Sequence, residues 1–326
     1  MPSETTDGSS TCVIPCAGTV QCVEFSPFEW SSQLLAVGTS SSGVSVYSCR
    51  FQEEGSEIKG NIEYTRLKDF PMKCSPLCIA WSPQTSLHVL PKIMSFAVAS
   101  DDRTLKVFAS DMNSSNSMKI LWGHKGFVNA LTFDPSEGIH LASTGDDMTC
   151  RVWTVVDAQQ AFLFQLTSPG MAVAWHSDEP YKLMVAQKDG LIRFFSLHNQ
   201  QPIQSLSCGQ GPLLSADWSR HNNLLVGAVS GSDWLVFDVS SSSLPIERRP
   251  AHAEGARLFR WSRCHESLVA TCGRPGRQLK VFNTRHQQEH VNTSLKVAYS
   301  LSWHLTLPIL AVGGDKAVHM WSVKSL

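Results

Sequence analysis

Two sets of residues in this chain have the types and spacing that chemistry would need. His286, Glu289 and His290 match H-x-x-E-H, the inverted form of a zinc-hydrolase signature. Zinc there needs both histidines on one helical turn and a third ligand from another helix. The motif follows a strand-like stretch, Gln278 to Asn283, with no helical pattern around it, so it reads as a solvated loop that holds no metal. His124 and Asp147 are the second set, a pair of the kind that activates a nucleophile. No nucleophile recurs with them. The alternative is a structural clamp, in which Asp147 orients His124 and the imidazole reaches Ser143 or Thr144 and Trp153. No phosphate-binding P-loop, dinucleotide-type glycine motif or nucleophile elbow is present. No catalytic residue, cofactor or metal is therefore expected.

Other chemistry-bearing residues are dispersed. The ten cysteines include no C-x2-C pair; Cys12/Cys16 and Cys74/Cys78 are spaced by four. They read as reduced, mostly buried thiols acting as small apolar residues, which points to a cytosolic or nuclear compartment. Arg248, Arg249, Arg257, Arg260 and Arg263 form the densest basic stretch. They read as blade-edge arginines, with an acidic or phosphorylated partner as the alternative. Net charge is −1, which leaves no surplus for contacts to a phosphate backbone, so direct nucleic-acid binding is not expected. The start, MPSETTDGSST, lacks the apolar core of a secretory signal, and no apolar run approaches the length of a membrane span.

The elements that would position these residues come from a repeat. An aromatic sits in a VxFS/AWS-like setting at Phe25, Trp81, Phe133, Trp175, Trp218, Trp261 and Trp303. The later steps are 42, 43, 43 and 42 residues, and a second aromatic follows each first one after 18 to 27 residues. That period, with alternating strands and turn residues between, is the pattern of four-stranded WD40 propeller blades. Blade three is the clearest, from Gly123 to Val155. An aspartate six residues before the second aromatic recurs as Asp102, Asp147, Asp189 and Asp315, where it can accept amides of a tight turn.

The expected fold is all-β, a single seven-bladed WD40 propeller closed by an N-terminal strand in the last blade. A tail at 1–10 precedes a propeller at 11–326. The blades lie near 20–66, 74–122, 123–167, 168–207, 208–250, 251–290 and 292–326 plus 11–17. Thr11 to Ala17 is β-prone and can supply the outer strand that the last blade lacks, removing an open edge. Inserts enlarge blade one, from Cys49 to Asn61, and blade two, from Gln84 to Lys92. Both connections emerge on one face. Together with Phe28 and Trp30 after the first inner strand, and Phe51, Glu53 and Glu54 in the insert, they form the candidate interface.

Several phrases are more specific than a generic propeller. They include VEFSPFE (Val23 to Glu29), FQEE (Phe51 to Glu54), SPGM (Ser168 to Met171), KLMVA (Lys182 to Ala186), DWLVFD (Asp233 to Asp238) and LFRWS (Leu258 to Ser262). On these the chain resembles a family of nucleoporins, the small WD40 propellers of the Y-shaped outer-ring scaffold of the nuclear pore. The resemblance runs from end to end. It implies a non-enzymatic scaffold subunit that docks on the large propeller-and-helix nucleoporin of a Y-complex arm and, through it, on the other Y-complex subunits. It also implies residence at the nuclear envelope, kinetochore association in mitosis, a part in mRNA and protein transport, no small-molecule substrate and no insertion into the membrane. The alternatives are an adaptor propeller of another complex, such as a ubiquitin-ligase substrate receptor or a histone-binding module, and a zinc hydrolase.

Overall fold

The computed structural model describes residues 10–41, 43–54, 57–58, 62–113, 116–286, 289–296 and 298–323. Seven four-stranded antiparallel sheets form the body of an all-β WD40 propeller. In blade one the order from axis to rim is Val20–Phe25, Leu34–Thr39, Gly43–Arg50 and Glu63–Phe70. Five further blades repeat this chain-order stacking. The seventh does not: Leu301–Trp303, Ile309–Gly313 and Ala317–Ser322 are followed at the rim by Cys12–Pro15 from the start of the chain. Cys12 pairs with Met320 and Pro15 with Ala317. The rim edge of Ala317–Ser322 is thus covered rather than offered to another molecule.

Each inner strand contacts the inner strands of both neighbouring blades, so the ring is closed. Alternation explains why these segments are strands: one face of each packs on the preceding blade and the other on the next. Val20, Val23, Phe25, Leu35 and Tyr47 pack with Ile309, Val318 and Met320 of blade seven. Cys22, Ala36, Val46 and Phe70 pack with Trp81, Phe96 and Phe108 of blade two. Fully burying a ring such as Phe25 or Phe96 contributes roughly 2–3 kcal/mol, repeated around the circle. Close approach has a cost in residue choice. A Cβ on Gly227 would stand 2.2 Å from the Phe259 ring, so that inner seam admits glycine alone without rearrangement.

Two expectations change in detail. The third strand of blade one runs on to Arg50, so Cys49 is a buried strand residue and the insert begins after it. Within the insert, Glu53–Glu54 and Glu57–Ile58 pair as a small hairpin. Among the described residues the only helical turn is Glu29–Ser31, and no helix is long and apolar enough to cross a membrane.

Candidate functional site

Blade three holds the arrangement with the most catalytic appearance. His124 Nδ1 lies 2.9 Å from Asp147 Oδ2, and His124 Nε2 lies 2.8 Å from Ser143 Oγ. That is the connectivity of a serine-hydrolase triad. The surroundings give it a different use. The Trp153 indole N–H donates to Ser143 Oγ at 2.8 Å. The hydroxyl therefore donates to His124 Nε2, and the neutral imidazole keeps its Nδ1–H for Asp147. Ser143 is 0% exposed, so no substrate can reach it. Burial lowers the His124 pKa, with Asp147 opposing, so the pair is a hydrogen bond between a neutral ring and a carboxylate. Burial pushes Asp147 up, but the Lys125 amide, the Thr149 hydroxyl and His124 outweigh it and hold the carboxyl below its usual range. Among the described residues, the four parts come together in blade three alone. They tie the loop before its inner strand to the turn between its middle strands.

The recurring aspartates do not behave alike. Asp102 accepts the Thr104 amide at 3.1 Å and hydroxyl at 2.7 Å, and pairs with Lys106 at 2.6 Å. Asp189 accepts the Thr167 hydroxyl at 2.8 Å and the Leu191 amide at 3.3 Å. Asp315 is exposed, and among the described residues nothing donates to its carboxylate. The reason is local. Where Asp102 and Asp147 have a threonine two residues on, Asp315 has Ala317, which has no hydroxyl to give.

Two polar sets escape a sequence reading. His252 Nε2 lies 2.9 Å from Thr271 Oγ1, the same 19-residue separation as His124 to Ser143. Blade six thus keeps half of the tetrad although Gly276 fills its aspartate position. The identical spacing was the available signal. The second set stands at the turn after each inner strand; in six blades it accepts a turn amide, and in blade one Ser26 Oγ pairs with Ser31 Oγ at 2.6 Å. The residue following the first aromatic is Ser26, Ser82, Asp134, His176, Ser219, Ser262 or His304, and all are buried. Asp134 accepts the Glu137, Gly138 and His140 amides at 3.0, 3.0 and 2.7 Å. His176 Nδ1 accepts two amides at 3.1 and 3.0 Å, and His304 Nδ1 two at 3.3 and 3.1 Å. Three side-chain types serve one task, which hides the pattern from residue identity.

The H-x-x-E-H motif is dismantled by the sheet. Glu289 and His290 lie in the outer strand Glu289–Ser294 of blade six, where a solvated loop was expected, and adjacent strand residues point to opposite faces. Glu289 is committed to Lys280 at 3.0 Å and Asn292 at 3.0 Å. Gln287 and Gln288 lie outside the described residues. Among the described residues no cluster of three or more His, Cys, Asp or Glu could hold a metal. Of the ten cysteines, Cys22, Cys49, Cys150, Cys208 and Cys272 are buried, and burial pushes the Cys49, Cys208 and Cys272 thiols up to about 12. They are poor nucleophiles.

The basic stretch divides. Arg248 and Arg249 stand on an outer strand, as blade-edge residues should. Arg260 instead lies on the inner strand Ala256–Trp261 and donates to Ser215 Oγ at 3.1 Å and the Phe259 carbonyl at 2.9 Å. Near it, burial raises the Glu24 and Asp217 carboxyls, partly offset by Arg260 and Arg263. A blade-edge reading of Arg260 is therefore corrected: it is a half-buried residue of an inner strand whose charge offsets the Glu24 and Asp217 carboxyls.

The candidate interface residues separate into inward and outward ones. Phe51 is half-buried against the blade one–seven core, with its ring 4.8 Å from His304. Phe28 packs on the blade one–two core. Trp30 stacks on Phe28 at 5.5 Å, donates its indole N–H to the Pro83 carbonyl at 3.1 Å, and remains 47% exposed. Glu53 and Glu54 lie in the hairpin of the insert. The blade-two insert adds what the reading did not single out: Val89 and Leu90 are 68% and 82% exposed at its tip. The opposite face carries Trp122, 71% exposed, next to the blade-three clamp.

Sequence comparisons place this geometry among known proteins. The family model for the WD domain, G-beta repeat, matches residues 115–154, across blades two and three. The chain is 45% identical over 313 residues to Nucleoporin Nup37 of Mus musculus, covering 94% of this chain and 95% of the relative. The Homo sapiens protein of that name is 44% identical over the same length. Nucleoporin Nup37 of Drosophila melanogaster is 30% identical over 273 residues, covering 82% of this chain and 84% of the relative.

Proposed function

Because the chain belongs to the Nucleoporin Nup37 family, we propose that it is a non-catalytic scaffold subunit of the nuclear pore. In this reading it sits at the nuclear envelope within the Y-shaped outer-ring complex, docks on the large propeller-and-helix nucleoporin, and supports pore assembly and transport of protein and mRNA. Kinetochore association in mitosis belongs to the same reading. The observation that carries the non-catalytic part is Ser143. The triad-like constellation of blade three has its hydroxyl 0% exposed and occupied by the Trp153 indole, so it stabilises a blade and has no route to a substrate.

Docking is assigned to the face bearing the inserts of blades one and two. Trp30 supports it: a tryptophan held rigid by Phe28 and Pro83 yet 47% exposed is the type of anchor that carries interface energy. A second reading uses the opposite face, and Trp122 favours it. Purification of the tagged protein with identification of its stoichiometric partners tests the function. Recovery of outer-ring nucleoporins supports the scaffold. Recovery of a ubiquitin ligase or histones in their place supports the adaptor alternative, and stoichiometric zinc in the pure protein would revive an enzyme.

A further inference from the structure

On the reading that the insert face docks the partner, we propose that Arg220 is a positioning residue for docking. Its side chain crosses the mouth of the central channel from blade five and fixes the blade-one turn that presents Trp30.

Arg220 stands two residues past the first aromatic of its blade, in the turn after the inner strand Leu213–Trp218. The same place in blade one is Pro27, after the inner strand Val20–Phe25. Both turns lie on the insert face, at the axis-side ends of their blades. Blades five and one stand on opposite sides of the ring, with blades six and seven between them on the shorter way round. Yet Arg220 Nη1 donates to the Pro27 carbonyl at 2.6 Å. The side chain therefore spans the mouth of the channel. Nothing in the sequence flags the pair, since 193 positions separate the two residues. Arg263 holds the equivalent place in blade six, and among the described residues it makes no hydrogen bond to the blade-one turn.

The blade-one turn depends on such outside ties. In six blades the residue after the first aromatic accepts a turn amide, whereas here Ser26 Oγ is taken by Ser31 Oγ at 2.6 Å. Among the described residues no amide meets the Pro27 carbonyl, and Arg220 satisfies it. Three other blades thus hold the turn. Pro83 of blade two accepts the Trp30 indole N–H at 3.1 Å, Arg220 of blade five holds Pro27, and the His304 ring of blade seven meets the Ser32 backbone. Charge acts in the same sense. Partial burial and then the Arg263 guanidinium lower the Arg220 pKa, and Glu29 opposes them. Glu29 lies on the turn and Arg263 on the adjacent blade, so the attraction comes from the far side of the mouth and the repulsion from the near side. A hydrogen bond from a charged donor is among the stronger kinds. A turn ordered before binding spares the partner the entropy of ordering it, which is what Arg220 contributes to docking.

Hydrogen exchange read by mass spectrometry on the full chain follows the segment 26–33, with 139–145 of blade three as the internal reference. R220A should speed exchange of 26–33 about 10-fold or more, the scale of one charge-assisted hydrogen bond, and leave 139–145 unchanged. Arg220→Met fills the same space without a donor and should act as R220A does. Arg220→Lys keeps a donor and the charge facing Glu29, and should restore most of the protection. R263A should leave 26–33 as in wild type. Arg220 is exposed, so the melting temperatures should stay close to that of wild type. In parallel, tagged wild type, R220A, R220K and W30A are compared for recovery of the large nucleoporin. R220A and W30A should both recover less of it, and R220K should approach wild type. Unchanged exchange in R220A and Arg220→Met, or equal acceleration in R263A, overturns the strap. Faster exchange in R220A with full recovery of the partner, while W30A loses it, overturns the role of Arg220 and leaves docking at this face intact. Full recovery by R220A and W30A alike overturns docking through this turn, and the role of Arg220 with it.

Discussion

Cys12 stands opposite Met320 in the register of blade seven, and through that pair the start of the chain completes the sheet that its end began. The strand is short, Cys12–Pro15, but Ile14 within it is fully buried against the blade one–seven core. Deletion of residues 1–17 should expose the rim edge of Ala317–Ser322 and leave the protein insoluble or strongly destabilised. Deletion of residues 1–8 should not. Solubility and urea midpoint of the two truncations test this; a stable protein lacking residues 1–17 contradicts it.

The blade-three clamp should behave as structure. Ser143→Ala removes the acceptor of Trp153 and the donor to His124 at once, leaving two buried groups unpaired. The expected loss is roughly 2–6 kcal/mol by urea unfolding, from about 1–3 kcal/mol for each unpaired group. His124→Ala should cost a similar amount. A loss below about 0.5 kcal/mol, the ordinary effect of a surface change, would contradict the clamp.

The buried histidines make stability depend on acid. His252 and His304 are held down to about 4, in each case by burial first. The unfolded chain takes up these protons near pH 6.5, whereas the folded chain refuses them until about 4. Their contribution is complete above about pH 6.5 and is lost as pH falls towards 4, on the order of 3 kcal/mol each at the limit. His124, His176, His290 and His319 are shifted in the same direction. Glu24 and Asp217, raised by burial, oppose the trend. Urea midpoints measured from about pH 7.5 to about pH 4.5 should fall steadily. His304→Asn, which can still cap the turn as Asp134 does, should flatten the curve. A midpoint constant through this range contradicts the argument.

Phe51 and Trp30 should part company on mutation. Phe51→Ala opens space against His304 and should lower stability by roughly 2–4 kcal/mol, reduced by its half-exposure. Trp30→Ala removes a partly exposed ring and one hydrogen bond, and should change the melting temperature less while weakening recovery of the partner. Thermal melts and co-purification of the two single variants separate these effects. Equal destabilisation by both would make Trp30 a packing residue only.

The ring was legible because its aromatics recur at nearly constant spacing, and the strands between them alternate. The blade-three tetrad was legible because Gly-His, Asp and Trp all stand in their places. Its half-copy at His252 and Thr271 was not, since Gly276 replaces the aspartate that would have flagged it. The turn caps were hidden by chemistry: a serine hydroxyl, a carboxylate and an imidazole nitrogen can each accept an amide, so no residue type recurs. Val89 and Leu90 fall inside the insert read as part of the candidate interface but are not singled out by the sequence, because only the fold reveals that this pair has nothing above it. Phe51 is the converse, an aromatic in an insert that turns inward to fill the seam beside His304.

Cross-linking of the assembled outer-ring complex with an amine-reactive reagent, read by mass spectrometry, tests the central claim most directly. Lys92 lies exposed on the insert face, and Lys125 and Lys188 lie exposed on the opposite face. Docking through blades one and two predicts cross-links from Lys92 to a helical segment of the large nucleoporin, with Lys125 and Lys188 free of that partner. Cross-links from Lys125 and Lys188 alone would contradict the assignment and move the interface to the face of Trp122.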